Sequence, residues 1–574
     1  MFRVLGSPYT LAFHQQVAYL RLKRMPFKVY CRTFTTTLFY AWLFRARNTF
    51  CTVTPDGKSY LQLWQLAAEV EKGTGKRSIQ FVVRKDTHPN IHLSNWLVVL
   101  YSTWWLAKTG AMYRWFKGDS VDVIDGYLRY FFLAPGVGAS RAVAKPFRQA
   151  MQKLTSVTGV SKDTAPYMQE HFMRLCEALE YHLRQLTRRS QNVRSDSPVP
   201  FLLGTPHPTL ADVALGSVFS ANFLMDDPPA SLVLQKYPHL NRYLVKVTGW
   251  RGGVFVGDEE QSEVPSTASE SIGGGNVQNN DANMTCCYSD DVPESLSGVL
   301  ALIEEVMPFV LSQCTALQAY MAGDGVCRLK KEPLEEPWEG CSGYLLPQVT
   351  DIKSLMIIDN GVYTVCARAQ DLEVALMAAR EVVGDDVNDD DVAGNRHDNA
   401  SEVVPPTVAL TQNTGNSVAA GSSDATIEGR QEGKDSSLSF TKHQTPCGGG
   451  EGTRSPVLPM GAETVSSFSS SVAESCRQVA EGDNFALGPD PDFHRVFTLG
   501  SQRTRGILQP QHHHGQLARS PARDRLLRLR GMLKKMHYPH YTLASVFHGR
   551  KMFVAIIPEF EVTEKKKKMC EVNG

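Results

Sequence analysis

Two short apolar runs near the start of the chain, Phe2 to Leu5 and Phe27 to Tyr30, leave it little choice of local topology. Between them lies a stretch with helical spacing. Leu11, Val17, Leu20 and Leu22 recur on or near one face. Arg21, Lys23 and Arg24 crowd its C-terminal end, where cations suit the helix dipole. Gly6-Ser7-Pro8 closes the first run and Met25-Pro26 stops the helix. A crossover of that length joins strands that lie parallel, so residues 2–30 predict a β-α-β unit.

The next segment extends this unit. Residues 34–46 (FTTTLFYAWLFRA) fit a helix or a strand, because aromatic and β-branched residues dominate them. Residues 49–53 are strand-like. Thr54-Pro55-Asp56-Gly57 is a turn in which Pro fixes φ and Gly takes φ > 0. A returning strand at 58–61 and a helix at 62–72 follow. The order β-α-β-(α)-β-β-α is that of a thioredoxin fold. From 90 to 250 the pattern is helical nearly throughout, with helices expected at about 93–116, 121–131, 142–155, 164–188, 209–224 and 239–248, and a polar loop at 189–200. Thr209 and Asp212 before Val213-Ala-Leu form a capping-box pattern, with Asp in place of Glu or Gln.

The opening RVLGSPYTLAFHQQVAYLRLKRMPFKVY is similar to the first strand, Ser-Pro-Tyr turn, first helix and second strand of the glutathione transferase family. TPDG followed by Leu61 looks like that family's hairpin, and FLLGTPHPTLADVALGSVFSANF like its helical-domain signature. YPHLNRYLVKV resembles the helix that follows it. WWLAKTGAMYRWF looks like a subset of glutathione-transferase-like proteins with an extended C-terminal half. The resemblance covers residues 1–250. It implies an α+β chain: a thioredoxin-like domain at 1–80 and an all-helical domain at 90–252. Beyond them, composition predicts a flexible linker at 256–295 and a helical or mixed segment at 296–384. A disordered low-complexity insertion is expected at 385–484, a mixed segment at 493–560 and a basic tail at 561–574.

The resemblance also implies chemistry. Such a domain binds glutathione, or a related small thiol, and lowers the thiol pKa so that the thiolate attacks an electrophile or a disulfide. A hydroxyl at the start of the first helix stabilises that thiolate. Ser7, Tyr9 and Thr10 stand there; Ser7 matches the family's Ser/Cys position best and Tyr9 is second. Ser-Pro is also an ordinary helix entry, in which Ser7 caps and Tyr9 packs. Two features depart from the family. Its cis-proline position is occupied by Phe50 after Thr49, and a cis peptide outside proline costs roughly 2.5–4 kcal/mol. Where the family places an acid-Ser pair for the γ-glutamyl group, this chain has Leu63-Trp64, or Gln62-Leu63 with a shift of one. A tripeptide's charged ends would lack partners there, and unpaired buried polar groups are costly. Two readings stay open: a thiol transferase, and a non-catalytic interaction scaffold with a degenerate thiol site whose insertions bind protein partners. The family commonly forms homodimers.

Other candidates are weaker. The twelve Cys contain no CxxC pair and no zinc spacing, which fits reduced thiols and a cytoplasmic location. His512-His513-His514 sit in a Gln/Pro/Gly stretch without a carboxylate or Cys, so no metal site is expected. Lys565 to Lys568 read as a solvated tail, and a net charge of +1 gives no global pull towards nucleic acid. Trp96, Trp104, Trp105, Tyr113 and Trp115 suit either an electrophile pocket or a helical core. The apolar window 93–107 is shorter than the roughly 20 residues a bilayer needs, and the N-terminus lacks the charged-then-apolar pattern of a leader, so no membrane insertion is expected.

Overall fold

A computed structural model describes residues 1–30, 34–46, 50–73, 80–116, 137–193, 200–251, 254–255, 289–323, 329–334, 338, 340–346, 352–367, 369–384, 520–548, 551–559 and 561. Within these residues the fold is mixed α+β. Strands β1 (Phe2–Leu5) and β2 (Phe27–Tyr30) pair in parallel, from Phe2 opposite Phe27 to Leu5 opposite Tyr30, and helix α1 (Leu11–Leu22) crosses between them. Strand β3 (Cys51–Val53) runs antiparallel on the other side of β1, and β4 (Ser59–Tyr60) antiparallel to β3, giving the order β2-β1-β3-β4. Successive strand residues face opposite sides. Phe2 and Val4 join the main core with α1 and α3 (Leu63–Gly73), whereas Leu5, Cys51 and Val53 pack under helix α2 (Phe34–Leu43) through Ala41. Residues 34–46 thus resolve as a helix, a choice their composition leaves open.

Helix α1 buries polar as well as apolar residues, including His14, Gln15 and Gln16, because it is covered on both sides. Gln16 Nε2 donates to the carbonyls of Tyr60 and Leu61, and Thr52 donates to its Oε1. One α1 side chain thereby bonds to the end of β4 and to β3 at once.

The helical layer comprises α4 (Pro89–Leu100), a π turn (Tyr101–Leu106), α5 (Ala107–Phe116), α6 (Val137–Ser156), α7 (Ala165–Val193), α8 (Leu210–Val218), a second π turn (Phe219–Phe223), α9 (Pro229–Lys236) and α10 (Pro238–Thr248). The expected helix at 93–116 starts four residues earlier, at a proline suited to a first helical position, and is interrupted by the π turn. Helix α7 continues through residues expected to form a polar loop, as far as Val193. Helix α9 lies between the expected helices at 209–224 and 239–248, where none was expected. The helix expected at 121–131 lies outside the described residues.

Asp212 reaches back to the Thr209 N–H at 2.8 Å, as the capping pattern predicts. It does more: its carboxylate also accepts from the Thr209 hydroxyl, the Leu202 N–H and the Tyr243 hydroxyl. Arg21 at the end of α1 donates to the Lys246 and Val247 carbonyls in the last turn of α10. That turn ends on Gly249, which sits at φ +66° with its Cα beside the Arg21 guanidinium. One cation therefore ties the sheet layer to the last helix of the helical layer.

Strands β5 (Trp250–Arg251) and β6 (Val254–Phe255) pair antiparallel after α10, and the later segments complete the same core. Helix α11 (Ser297–Ala322) packs on α7, on strand β9 (Ile352–Ile358) and on helix α13 (Pro521–Met536). It is the one helix among the described residues long and apolar enough to cross a bilayer, with the turn before it. Val299, Leu300, Ile303, Val306, Met307, Val310, Cys314 and Leu317 along it are buried. Strands β7 (Lys331–Pro333) and β8 (Ser342–Leu346) pair with the hairpin of β11 (Tyr541–His548) and β12 (Lys551–Pro558) in an antiparallel sheet of order β11-β12-β8-β7. Strands β9 and β10 (Gly361–Ala367) form a separate hairpin, and helix α12 (Ala369–Val383) lies against α4, α13 and β11. Residues 157–160 pass close under the β9–β10 hairpin. A Cβ at Gly159, which sits at φ +92°, would lie 2.7 Å from Met356 and 2.9 Å from Val365. The expected disordered insertion lies outside the described residues, as do the basic tail beyond Glu561 and all of the expected linker up to residue 288.

The end of that linker is structured. Asp290 caps α4, accepting from the backbone N–H groups of Asn90 and Ile91 and from the Asn90 amide. Ser295 faces His182 Nδ1 at 2.8 Å, while His182 Nε2 faces the Leu202 carbonyl at 2.7 Å. His182 is buried, which pulls its pKa down to about 4; the Leu202 bond opposes the shift and Arg189 adds to it. His14 is lowered to about 4 as well, by burial first and then by Arg114 against the bond to Pro8. An unfolded histidine takes its proton near 6.5. Below that pH the unfolded chain binds more protons than the folded one, so the stabilisation is complete above 6.5 and is lost as pH falls towards 4. Denaturant titrations between pH 6.5 and 5 are expected to show stability falling with pH. In His182→Gln that slope should be smaller by close to one proton's worth.

Candidate functional site

The turn between β1 and α1 is built from Gly6 to Thr10. Ser7 Oγ accepts from the Tyr9 N–H at 3.3 Å, and the Ser7 carbonyl accepts from both the backbone N–H and the hydroxyl of Thr10, at 2.9 and 2.8 Å. Thr10 is the residue preceding α1, and its hydroxyl turns back to Ser7 instead of capping the helix. Ser7 is fully buried; Tyr9 and Thr10 are half-buried.

The topology brings the other candidate positions to the same end of the sheet. Cys51 pairs with Leu5, so Phe50 and the turn after β1 emerge together at one edge. Thr49 lies outside the described residues, and with it the geometry of the Thr49–Phe50 peptide. Gln62 precedes α3, beside the Leu61 carbonyl held by Gln16. Phe50 and Gln62 are half-buried. Leu63 and Trp64 begin α3 at 1% and 5% exposure, within the main core against α1. Their side chains belong to the interior that α3 shares with α1.

Sequence reasoning missed what fixes this turn from the other layer. Arg114, near the end of α5, donates from Nη1 to the Tyr9 carbonyl at 3.1 Å. From Nη2 it donates to the Ala221 carbonyl at 2.6 Å and to Asp226 Oδ2 at 2.8 Å, and Nε reaches the same oxygen at 3.0 Å. Arg114 is 6% exposed and Asp226 is fully buried. Desolvating two such charges is offset only by this dense set of hydrogen bonds. His14 Nε2 lies 2.6 Å from the Pro8 carbonyl, and the low pKa of the ring keeps it neutral and donating there. Pro8 and Tyr9 are thus clamped by their carbonyls, one from α1 and one from α5. The only sequence signal was a lone Arg among the aromatic residues Tyr113, Trp115 and Phe116.

The aromatic candidates are core. Trp96, Trp104, Trp105, Tyr113 and Trp115 are each at most 4% exposed. Trp105 lies against the rings of Tyr167, His171 and Phe309, and Tyr113 against Phe172 and Phe223. Among the recesses on the surface of the described residues, one is lined by Lys85, His92, Leu526, Leu527 and Arg530 among others, and another by Arg380, His537, Tyr541 and Glu559. Residues 7–10, 50 and 62–64 contribute to neither wall. Among the described residues no group of three His, Cys, Asp or Glu side chains is placed to hold a metal ion, and the three adjacent histidines at 512–514 lie outside them.

Compared with known proteins, the chain matches no family model, no curated protein and no solved structure.

Arg114→Met is expected to destabilise the protein by about 3–5 kcal/mol, since it leaves Asp226 charged and desolvated. Adding Asp226→Leu removes that stranded charge. The double variant should therefore lose less than the sum of the two single losses, as read from a denaturation cycle.

Proposed function

We propose that residues 1–251 form a glutathione-transferase-type module that serves this protein as an interaction scaffold, and that its thiol site is degenerate. The fold part of this reading is supported by the sheet order β2-β1-β3-β4, with β1 and β2 parallel and β3 and β4 antiparallel. The Thr209–Asp212 cap on α8, packed directly on α1, adds to it. A thioredoxin-type domain followed by a helical domain has this arrangement.

The burial of Ser7 carries the scaffold part. A hydroxyl that stabilises a bound thiolate must meet it, and Ser7 has no exposed surface. The turn is also held by Arg114 and His14 on its carbonyls, which opposes its opening. Leu63 and Trp64, where the γ-glutamyl group would be held, belong to the core. The buried thiols Cys51, Cys176, Cys314 and Cys341 support placing the protein in a reducing compartment such as the cytoplasm. In this reading its partners are proteins, and glutathione is not a co-substrate.

The test is retention on immobilised glutathione together with conjugation of a generic aryl halide. The scaffold reading expects neither above a buffer blank. Retention and turnover that are both lost in Ser7→Ala or Tyr9→Phe would establish the transferase reading, with Ser7 or Tyr9 as the hydroxyl facing the thiolate.

A further inference from the structure

Helix α2 is apolar on both sides. Its inner side is settled: Thr37 and Ala41 are buried, and the rings of Tyr40 and Phe44 pack on Tyr30 of β2 at 4.6 and 5.1 Å. Its outer side carries Leu38, Phe39, Trp42 and Leu43, with 43%, 54%, 74% and 50% of their surfaces exposed. A surface helix facing water alone carries polar residues outward. Four large apolar side chains within six positions are not the scattered exposure every protein tolerates. The Tyr30–Tyr40–Phe44 cluster fixes the helix on the sheet, so the patch is not buried by rotating it.

Charge identifies what covers the patch. The first acidic residue of the chain is Asp56; before it stand eight cations, Arg3, Arg21, Lys23, Arg24, Lys28, Arg32, Arg45 and Arg47, in a chain whose overall net charge is +1. Two of these are engaged elsewhere, Arg21 on α10 and Lys23 on Glu71. Arg3 and Lys28 are paired across β1 and β2 on the face that α2 covers, with Arg3 over the Phe44 ring at 4.7 Å. Lys28 and Arg45 are exposed, and Arg45 lies two positions past the end of the helix. A second copy of this surface would bring like charges together. An exposed Trp and Phe on a helix of ten residues, too short to span, with the exposed cation Arg45 two positions beyond its end, fits the headgroup boundary of a bilayer.

We infer that α2 docks this protein peripherally on a membrane surface bearing anionic phospholipid, with Phe39 and Trp42 entering the headgroup boundary and the surrounding Arg and Lys side chains meeting phosphate and carboxylate headgroups. This goes beyond the scaffold reading and does not depend on it.

The full-length protein is sedimented with vesicles of phosphatidylcholine alone, and with vesicles containing about one quarter phosphatidylserine, at low and high salt. Binding is expected only with phosphatidylserine, and weaker at high salt. Phe39→Ser/Trp42→Ser should lower the partition coefficient by roughly tenfold or more, and Arg45→Glu by roughly fivefold or more. Both sites are exposed, so circular dichroism should be unchanged. As a check that needs no polar substitution, brominated phosphatidylserine vesicles should quench part of the wild-type tryptophan emission, and this quenching should disappear in Trp42→Phe. Absence of phosphatidylserine-dependent sedimentation, or quenching that persists in Trp42→Phe, would overturn the inference. So would a wild-type dimer that Phe39→Ser/Trp42→Ser dissociates without any lipid effect.

Discussion

Glu305 on α11 stands where two halves of the sequence meet. Its carboxylate accepts from the Tyr167 hydroxyl at 2.6 Å and from both terminal nitrogens of Arg174 at 2.8 and 2.7 Å, all on α7. His171, one turn from each on α7, faces it at 3.5 Å through Nδ1 while its Nε2 accepts from the Tyr101 hydroxyl at 2.8 Å. Burial alone would raise the pKa of Glu305, but His171, Arg174 and Tyr167 outweigh it and hold the group well below the usual carboxylate range. Burial also lowers the pKa of His171, so the ring is neutral, with its one N–H towards Glu305. A bidentate Arg–carboxylate pair sets direction as well as attraction. It places Phe309, one turn along α11, against Trp105 of the helical layer. With α11 seated, its apolar residues support β9 and α13, and through α13 and α12 the later sheet.

The same device recurs wherever layers meet. Arg21 closes α1 on α10, Arg114 closes α5 on the β1–α1 turn, and Glu304 on α11 holds Arg525 and Arg528 of α13. Each is a charged group near an interface with several hydrogen bonds, and each fixes register where apolar packing alone tolerates sliding. Applied to the β1–α1 turn, this rigidity bears on function. A thiol site has to admit its ligand, and this turn is held from two helices at once. The surface of the sheet layer that stays open is the outer side of α2, which presents apolar rings among cations.

Much of the first 250 residues was legible because local rules decide it. The short apolar runs, the Pro-Gly turn and the crossover length predict β1 to α3, and Thr209 with Asp212 predicts the start of α8. Residues 34–46 were ambiguous because α2 is apolar on both sides, which erases the periodicity that separates helix from strand. The candidate residues Ser7, Tyr9 and Thr10 were locatable, but the clamp on their turn was not, since it depends on Arg114, which is held by Asp226, 112 positions further along the chain. The pairing of β8 with β12 joins segments some two hundred residues apart, and no local pattern encodes it. Asp290 and Ser295 sit in polar sequence that reads as linker. Their contacts are long-range: Asp290 bonds the first turn of α4, and Ser295 bonds His182 on α7.

Hydrogen exchange on Glu305→Ala tests most directly whether one carboxylate joins the two halves into a single core. The loss of its bonds to Arg174 and Tyr167 is expected to cost about 2–4 kcal/mol. If the halves are one cooperative unit, amide protection should fall together in α7, α11, α13 and the β8–β12 pair. Loss confined to the turns of α11 and α7 next to residue 305, with α13 and the later sheet unchanged, would contradict the account.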